Sequence, residues 1–193
     1  GHYELLSNVL ITQNDSGVRI EGPQGDAVAL LDRGNTEGYA VELVNADDVT
    51  LDGLHITGAK YGVYAAADSD SDGVTIRNCT VFNNKDTGIL FGAGNDRATL
   101  AGNAIYGTPS GATVNDDQSS GVDVSGDDAV LSANVVFDGA GVGIRIAGLR
   151  SSAEGNTVYN NGTGITASGG GPGADRVVVR GNAGFNNSAT GIS

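Results

Sequence analysis

From Val49 onward, apolar and polar residues alternate in runs too short for a helix, with a turn residue closing each run. The segments Val49–Thr57 (VTLDGLHIT), Val74–Phe82, Ala98–Tyr106, Ala129–Phe137, Ser151–Tyr159 and Val177–Phe185 align without a gap. Each opens on an x-apolar-x strand, passes a corner and enters a second short strand. A polar turn and a glycine-led piece follow at Gly62–Ala65, Gly88–Phe91, Gly121–Val124, Gly143–Ile146 and Gly164–Ala167. A unit of roughly 21–33 residues carrying three short strands is the signature of a solenoid. With no helix-period segment, the prediction is an all-β, single-stranded parallel β-helix of about seven to eight coils. At ~4.8 Å between strands it is a rod on the order of 35 Å long.

Strand residues alternate between faces, so the repeat also says which side chains meet. Val49/Leu51, Val74/Ile76, Ala98/Leu100 and Ala129/Leu131 point inward, as do Val18/Ile20, Val63/Ala65 and Ile144/Ile146 of the glycine-led strand. The corner column reads Leu54, Cys79, Asn103, Asn134, Asn156, Asn182. Stacked asparagines at a bend can bond the backbone and one another, as polar ladders do in cross-β stacks. Cys79 stands in that column as a packing residue, with no histidine placed to stabilise a thiolate. An aromatic column follows: Phe82, Tyr106, Phe137, Tyr159, Phe185. Strict alternation makes it an outer platform for sugar rings; a bend at that point makes it a half-buried stack.

Composition narrows the partners. The 32 glycines, against three prolines, fit a turn at almost every tenth residue. The net charge of −13 disfavours nucleic acid and anionic membrane surfaces. No apolar run is long enough to span a bilayer. The single cysteine excludes an internal disulfide. The chain starts at Gly1 and stops inside a strand motif at Gly191–Ser193, so the expectation is one β-helix domain over residues 1–193, excised from a longer protein and monomeric or continuous with more solenoid.

The phrase Asn-Thr-Val-Tyr-Asn-Asn-Gly-Thr-Gly-Ile at Asn156–Ile165 resembles the right-handed parallel β-helix repeat of the pectate-lyase-like superfamily. The resemblance covers nearly the whole chain. It implies a right-handed coil, an extracellular or cell-surface setting and polysaccharide as partner, but no particular reaction. The enzyme members' motifs are missing: there is no Asp-Pro-His run, no Arg-x-Pro-x-x-Arg and no paired catalytic aspartates in the arrangement of the pectin hydrolases. His2 and His55 are the only histidines.

In such relatives the glycine-led strand floors the substrate groove. Its outward column reads here as Arg19, Glu42, Tyr64, Leu90, Asp123, Arg145, Thr166. Proton abstraction beside a uronate carboxylate needs a base and a cation to offset the enolate charge. Tyr64 or Asp123 as base and Arg145 as neutraliser supply that inventory; an exposed Asp–Arg ladder pair is the plainer reading. The insertion Thr108–Ser120 enters beside this column, and function concentrates on such loops. Asp68, Asp70 and Asp72 with Gly73 follow a D-x-D-x-D-G calcium pattern, without the usual closing glutamate. Gly170–Val178 matches a calcium-roll nonapeptide once. Asp47/Asp48 and Asp127/Asp128 occupy the same turn in other coils, which favours simple solvation. The expectation is a non-catalytic structural or carbohydrate-binding module, with a lyase or C5-epimerase of alginate or pectate as the alternative. An ice-binding face would need regular Thr-x-Thr columns, which are missing.

Overall fold

The computed structural model describes residues 1–108, 118–169 and 175–193. The tip of the inserted segment, 109–117, and most of the single nonapeptide motif, 170–174, lie outside the described residues. The described chain winds through three parallel sheets of eight, seven and seven strands, and each strand pairs with its counterparts in adjacent coils. A leading sheet holds Arg19–Glu21, Thr50–Asp52, Thr75–Arg77, Thr99–Ala101, Val130–Ser132, Ser152–Glu154 and Val178–Arg180. An aromatic sheet runs from His2–Glu4 through Leu30–Asp32, His55–Thr57, Thr80–Phe82, Ala104–Tyr106, Val135–Phe137 and Thr157–Tyr159 to Ala183–Phe185. The glycine sheet holds Val9–Thr12, Tyr39–Val44, Tyr61–Ala65, Thr87–Phe91, Ser120–Val124, Val142–Ile146 and Thr163–Ala167. One short 3-10 turn, Gln13–Asp15, is the only helical element among the described residues.

The first coil departs from the sequence reading. Arg19 pairs with Thr50 and Ile20 with Leu51, so Arg19–Glu21 belongs to the leading sheet. Leu10, in register with Glu42, heads the outward column of the glycine sheet in place of Arg19. The physical reason is that Gly17-Val18-Arg19-Ile20 copies the glycine-led phrase, whereas Gly17, at φ +80°, only turns the chain into the leading sheet, and Val9–Thr12 supplies the apolar alternation of the glycine sheet instead.

Inside, β-branched and leucine side chains stack on copies of themselves. Leu51, Ile76, Leu100 and Leu131 are fully buried in one column, and Ile56, Val81, Ile105, Val136 and Val158 in another. The glycine column is explained by space. A Cβ on Gly143 would stand 2.5 Å from Val158 Cγ1 and 2.9 Å from the Gly164 carbonyl oxygen, and one on Gly62 would stand 2.6 Å from the Gly88 oxygen. The coil closes here so tightly that only a hydrogen fits.

Each corner turns through a residue in the left-handed region. At the corner between leading and aromatic sheets these are Gly53, Asn78, Gly102, Ala133, Gly155 and Gly181. From Asn103 onward the residue after each forms the predicted ladder. Asn134 Oδ1 accepts from the Asn103 backbone N–H at 3.1 Å and from Asn103 Nδ2 at 2.9 Å. Asn134 Nδ2 donates to the Leu100 carbonyl and to Asn156 Oδ1, both at 2.9 Å. Asn103, Asn156 and Asn182 repeat the arrangement. The bend breaks the sheet ladder, and one side chain per coil restores it. Cys79 lies inside this column, as expected. Its Sγ donates to the Arg77 carbonyl oxygen at 3.3 Å, and burial pushes its thiol from the ordinary 9.0 up to about 11.

Three outcomes are expected. Asn134→Ala strands a buried N–H on Asn103 and the Leu100 carbonyl, each such group costing ~1–3 kcal/mol. Urea denaturation is expected to show a loss of about 3 kcal/mol, against less than about 0.5 for the exposed Val135→Thr. Ala133 holds φ at +54° where its neighbours are glycine. Relieving that conformation outweighs the added freedom of the unfolded chain, so Ala133→Gly is expected to raise stability by roughly 0.5–1 kcal/mol in the same assay. A raised thiol pKa favours the fold fully below the ordinary value and loses that contribution as pH climbs through about 11. The stability difference between wild type and Cys79→Ala should therefore shrink across that window, and a constant difference would show a thiol that ionises freely.

Candidate functional site

The outer face of the glycine sheet carries the residues that the sequence singled out. Asp123 and Arg145 are in register on adjacent strands, and Arg145 Nη1 donates to Asp123 Oδ2 at 3.0 Å. Tyr64 is brought to the same face but not to the pair. It is in register with Leu90, and Leu90 with Asp123, which puts Tyr64 two strand spacings, about 9.6 Å, from Asp123 and one more from Arg145. Its ring packs on Tyr39 at 4.2 Å and on Tyr61 at 5.1 Å between centroids. Burial first, and then the neighbouring tyrosines, push its phenol above the ordinary range. A phenol shifted that way stays protonated at neutral pH and is a poor base. Glu42, further along the column, accepts from Asn8 Nδ2 at 2.7 Å. The sequence reading missed Tyr39 and Tyr61; their signal was the first position of the strand, ahead of Ala40 and Gly62, where the two tyrosines stand in register.

The acidic turns form a third kind of ladder. Asp47 Oδ1 accepts from the Asp72 backbone N–H, Asp72 Oδ1 from Asp96, Asp96 Oδ1 from Asp127 and Asp127 Oδ1 from Leu149, at 2.7–3.0 Å. Arg97 pairs with Asp72 at 3.0 Å, and Arg150 with Asp128 at 2.7 Å, which offsets the stacked negative charge. Asp72 is thus committed to its neighbouring coil. Asp68 and Asp70 are exposed beside it, and the Asp70 N–H donates to Asn45 Oδ1 at 3.1 Å. Among the described residues no three His, Cys, Asp or Glu side chains are grouped so as to hold a metal ion.

The aromatic column lies on the outer face of its sheet, and its rings lie flat on one another. Centroids are 5.4, 4.8, 5.0 and 4.9 Å apart from Phe82 to Phe185, with planes within 19°. Stacking covers the ring faces, so the column shows solvent its edges.

Beside the last three rings the chain forms a groove of about 450 Å³, lined by Asp138, Gly139, Asn160, Gly162, Asn186 and Ser188 among others. The groove exists because the turn after the aromatic residue is built from small residues here. In earlier coils that turn carries Lys60 and Lys85, and Lys85 reaches Glu37 at 2.8 Å. Asp138, Asn160 and Asn186 all turn through the left-handed region, with φ of 55°, 55° and 54°. Asn160 Nδ2 donates to Asp138 Oδ1 at 3.1 Å, and Ser188 Oγ to the Gly162 carbonyl at 3.3 Å. Below them, Asn161 and Asn187 serve the fold: Asn161 Oδ1 accepts from the Gly139 N–H and Asn187 Oδ1 from the Asn161 N–H, both at 3.0 Å. The sequence reading met Asn160, Asn161 and Gly162 of this groove only as part of the coil repeat and gave none of its residues a binding role.

No curated protein matches this chain. Among solved structures, the crystal structure of Dettilon tailspike protein is similar at 12% identity with a TM-score of 0.29. The match covers 99% of this chain and 61% of the tailspike chain, so this chain spans less than two thirds of that protein's length. The family model described as periplasmic copper-binding protein (NosD) matches residues 6–188. Repeat, coil and match agree: the chain belongs to the NosD family of right-handed parallel β-helix proteins.

Proposed function

We propose that this chain is a non-catalytic β-helical module that works outside the cytoplasm and binds polysaccharide. The observation that carries the reading is where the polar side chains go. The asparagine column and the acidic turn column, Asp72 included, accept backbone N–H groups of adjacent coils, and Asp123 and Arg145 engage each other. What stays outward is a set of tyrosines, aromatic edges and the small-residue groove, surfaces suited to contact rather than to bond breaking. The family's periplasmic description supports the extracytoplasmic setting, and no helix among the described residues is long and apolar enough to cross a membrane.

The family's description also names copper, which takes thiolate, thioether or imidazole ligands. The chain has no methionine, one cysteine and two histidines. Cys79 is buried and faces the interior of the coil. His2 and His55 are separated in their column by Leu30, about 9.6 Å along the sheet, and His2 already meets Asp32 at 3.2 Å. No two of these side chains share a site, so this chain's residues do not fit copper. Calcium, which takes six to eight oxygens, finds two uncommitted carboxylates at most in the Asp68–Asp72 turn.

The test is a pair of assays on alginate, polygalacturonate and neutral polysaccharides, with and without calcium. Retardation on at least one polymer in affinity electrophoresis is expected, with no unsaturated product and no change in uronate stereochemistry by NMR. Turnover that disappears in Asp123→Ala and Arg145→Ala would replace this reading with a lyase or epimerase.

A further inference from the structure

We propose that the groove formed by Asp138, Asn160, Asn186 and Ser188 is the glycan site, and that it takes an uncharged sugar chain. This rests on the polysaccharide-binding reading above. Three features point to the ligand class. First, among the described residues the walls are polar but nearly neutral: one carboxylate, Asp138, and no lysine or arginine line the groove. Amides and a carboxylate on successive coils give both donors and acceptors at a regular spacing, which suits vicinal hydroxyls. Asn186 makes no side-chain hydrogen bond among the described residues, and Asn160 spends one N–H on Asp138. These groups stand outward, unlike Asn161 and Asn187, which the fold consumes.

Second, the aromatic column runs beside the groove: Phe137, Tyr159 and Phe185 each precede a groove residue in the chain, which sets their ring edges next to a sugar bound there. Third, the electrostatics reject the alternative ligand. A uronan would bring one carboxylate per residue to a chain of net charge −13, at a groove without a cation to receive it. The Arg145 and Arg150 guanidinia elsewhere on the rod are already engaged by Asp123 and Asp128. The cavity, about 450 Å³, falls within the range of roughly 300–1,000 Å³ typical of ligand sites.

The left-handed turns dictate the variants. Asn160→Gly and Asp138→Gly remove the side chain and keep a backbone that glycine adopts freely; circular dichroism and thermal melts confirm the fold. Isothermal titration with hexasaccharides of β-glucan, xylan, mannan and galactan, beside hexamers of alginate and polygalacturonate, reads the outcome. The expected result is binding of a neutral oligosaccharide that weakens at least about tenfold in each groove variant and is unchanged in Asp123→Ala. Neutral binding that both variants leave intact, or preference for a uronan, overturns the groove assignment and leaves the module reading in place. Failure of every glycan, neutral or acidic, to bind overturns both.

Discussion

The structure depends on how a coil turns a corner without losing a hydrogen bond. Within the three sheets, each backbone amide finds its partner one coil away. At a bend the chain leaves extended geometry through a left-handed residue, and the next N–H and a nearby carbonyl fall out of register. Left buried without partners, these groups would cost more than the packing of a small coil returns. In the later coils one amide side chain, placed directly after the left-handed residue, closes the gap from the neighbouring coil. The asparagine column does this from Asn103 to Asn182. Ser71 and Ser151 do it with hydroxyls at another corner, accepting from the Ala46 and Ala129 N–H groups at 3.0 Å. The rod is held at its edges by hydrogen bonds and along its axis by stacked apolar columns.

This constraint sorts the polar residues. A side chain whose oxygen meets the N–H of an adjacent coil belongs to the scaffold, however suggestive its motif. Asp72 illustrates the point: read along the sequence it is one of three alternating carboxylates, and read across coils it is a rung between Asp47 and Asp96. Asp123 and Arg145 form a cross-strand pair of the ordinary exposed kind, worth ~0–1 kcal/mol. Function on such a scaffold belongs to residues that the ladders do not use, which here means the left-handed residues themselves, whose side chains the turn directs outward.

Most of the coil was legible because period-two alternation and the nine-residue phrase fix register without ambiguity. Leu51, Ile56 and Val63 were assigned inward from spacing alone and are fully buried. The legible part ended where the repeat does. Arg19 was misplaced because Gly17-Val18-Arg19-Ile20 reads as a glycine-led phrase although Gly17 only turns the chain into the leading sheet. Gln118 was not recognised as continuing the turn column of Asn84, Asn161 and Asn187, although it is buried and Asn84 Nδ2 donates to its Oε1 at 3.2 Å. The insertion ahead of it removes the local phrase, and a glutamine in place of asparagine breaks the pattern that an eye follows. The groove was invisible for a different reason: it arises from what Gly139, Gly162 and Ser188 lack, and a column of small side chains carries no chemical signature in sequence.

That origin bears on evolution of function in this fold. The scaffold residues are tied to both neighbouring coils, so a change in any one disturbs three. The left-handed residues and the turn behind them answer to one requirement only, a permissive backbone, which glycine, asparagine and aspartate all meet. The turn after the aromatic residue therefore varies from Lys60 and Lys85 in the early coils to Ala140 and Ser188 in the late ones with the coil itself unchanged. Exchanging lysines for small residues removes both bulk and charge from one stretch of an otherwise acidic rod, and what results is a cleft with amides at coil spacing. As the proposed glycan site, such a surface would discriminate by hydroxyl pattern and shape, since no lysine or arginine among the described residues lines it.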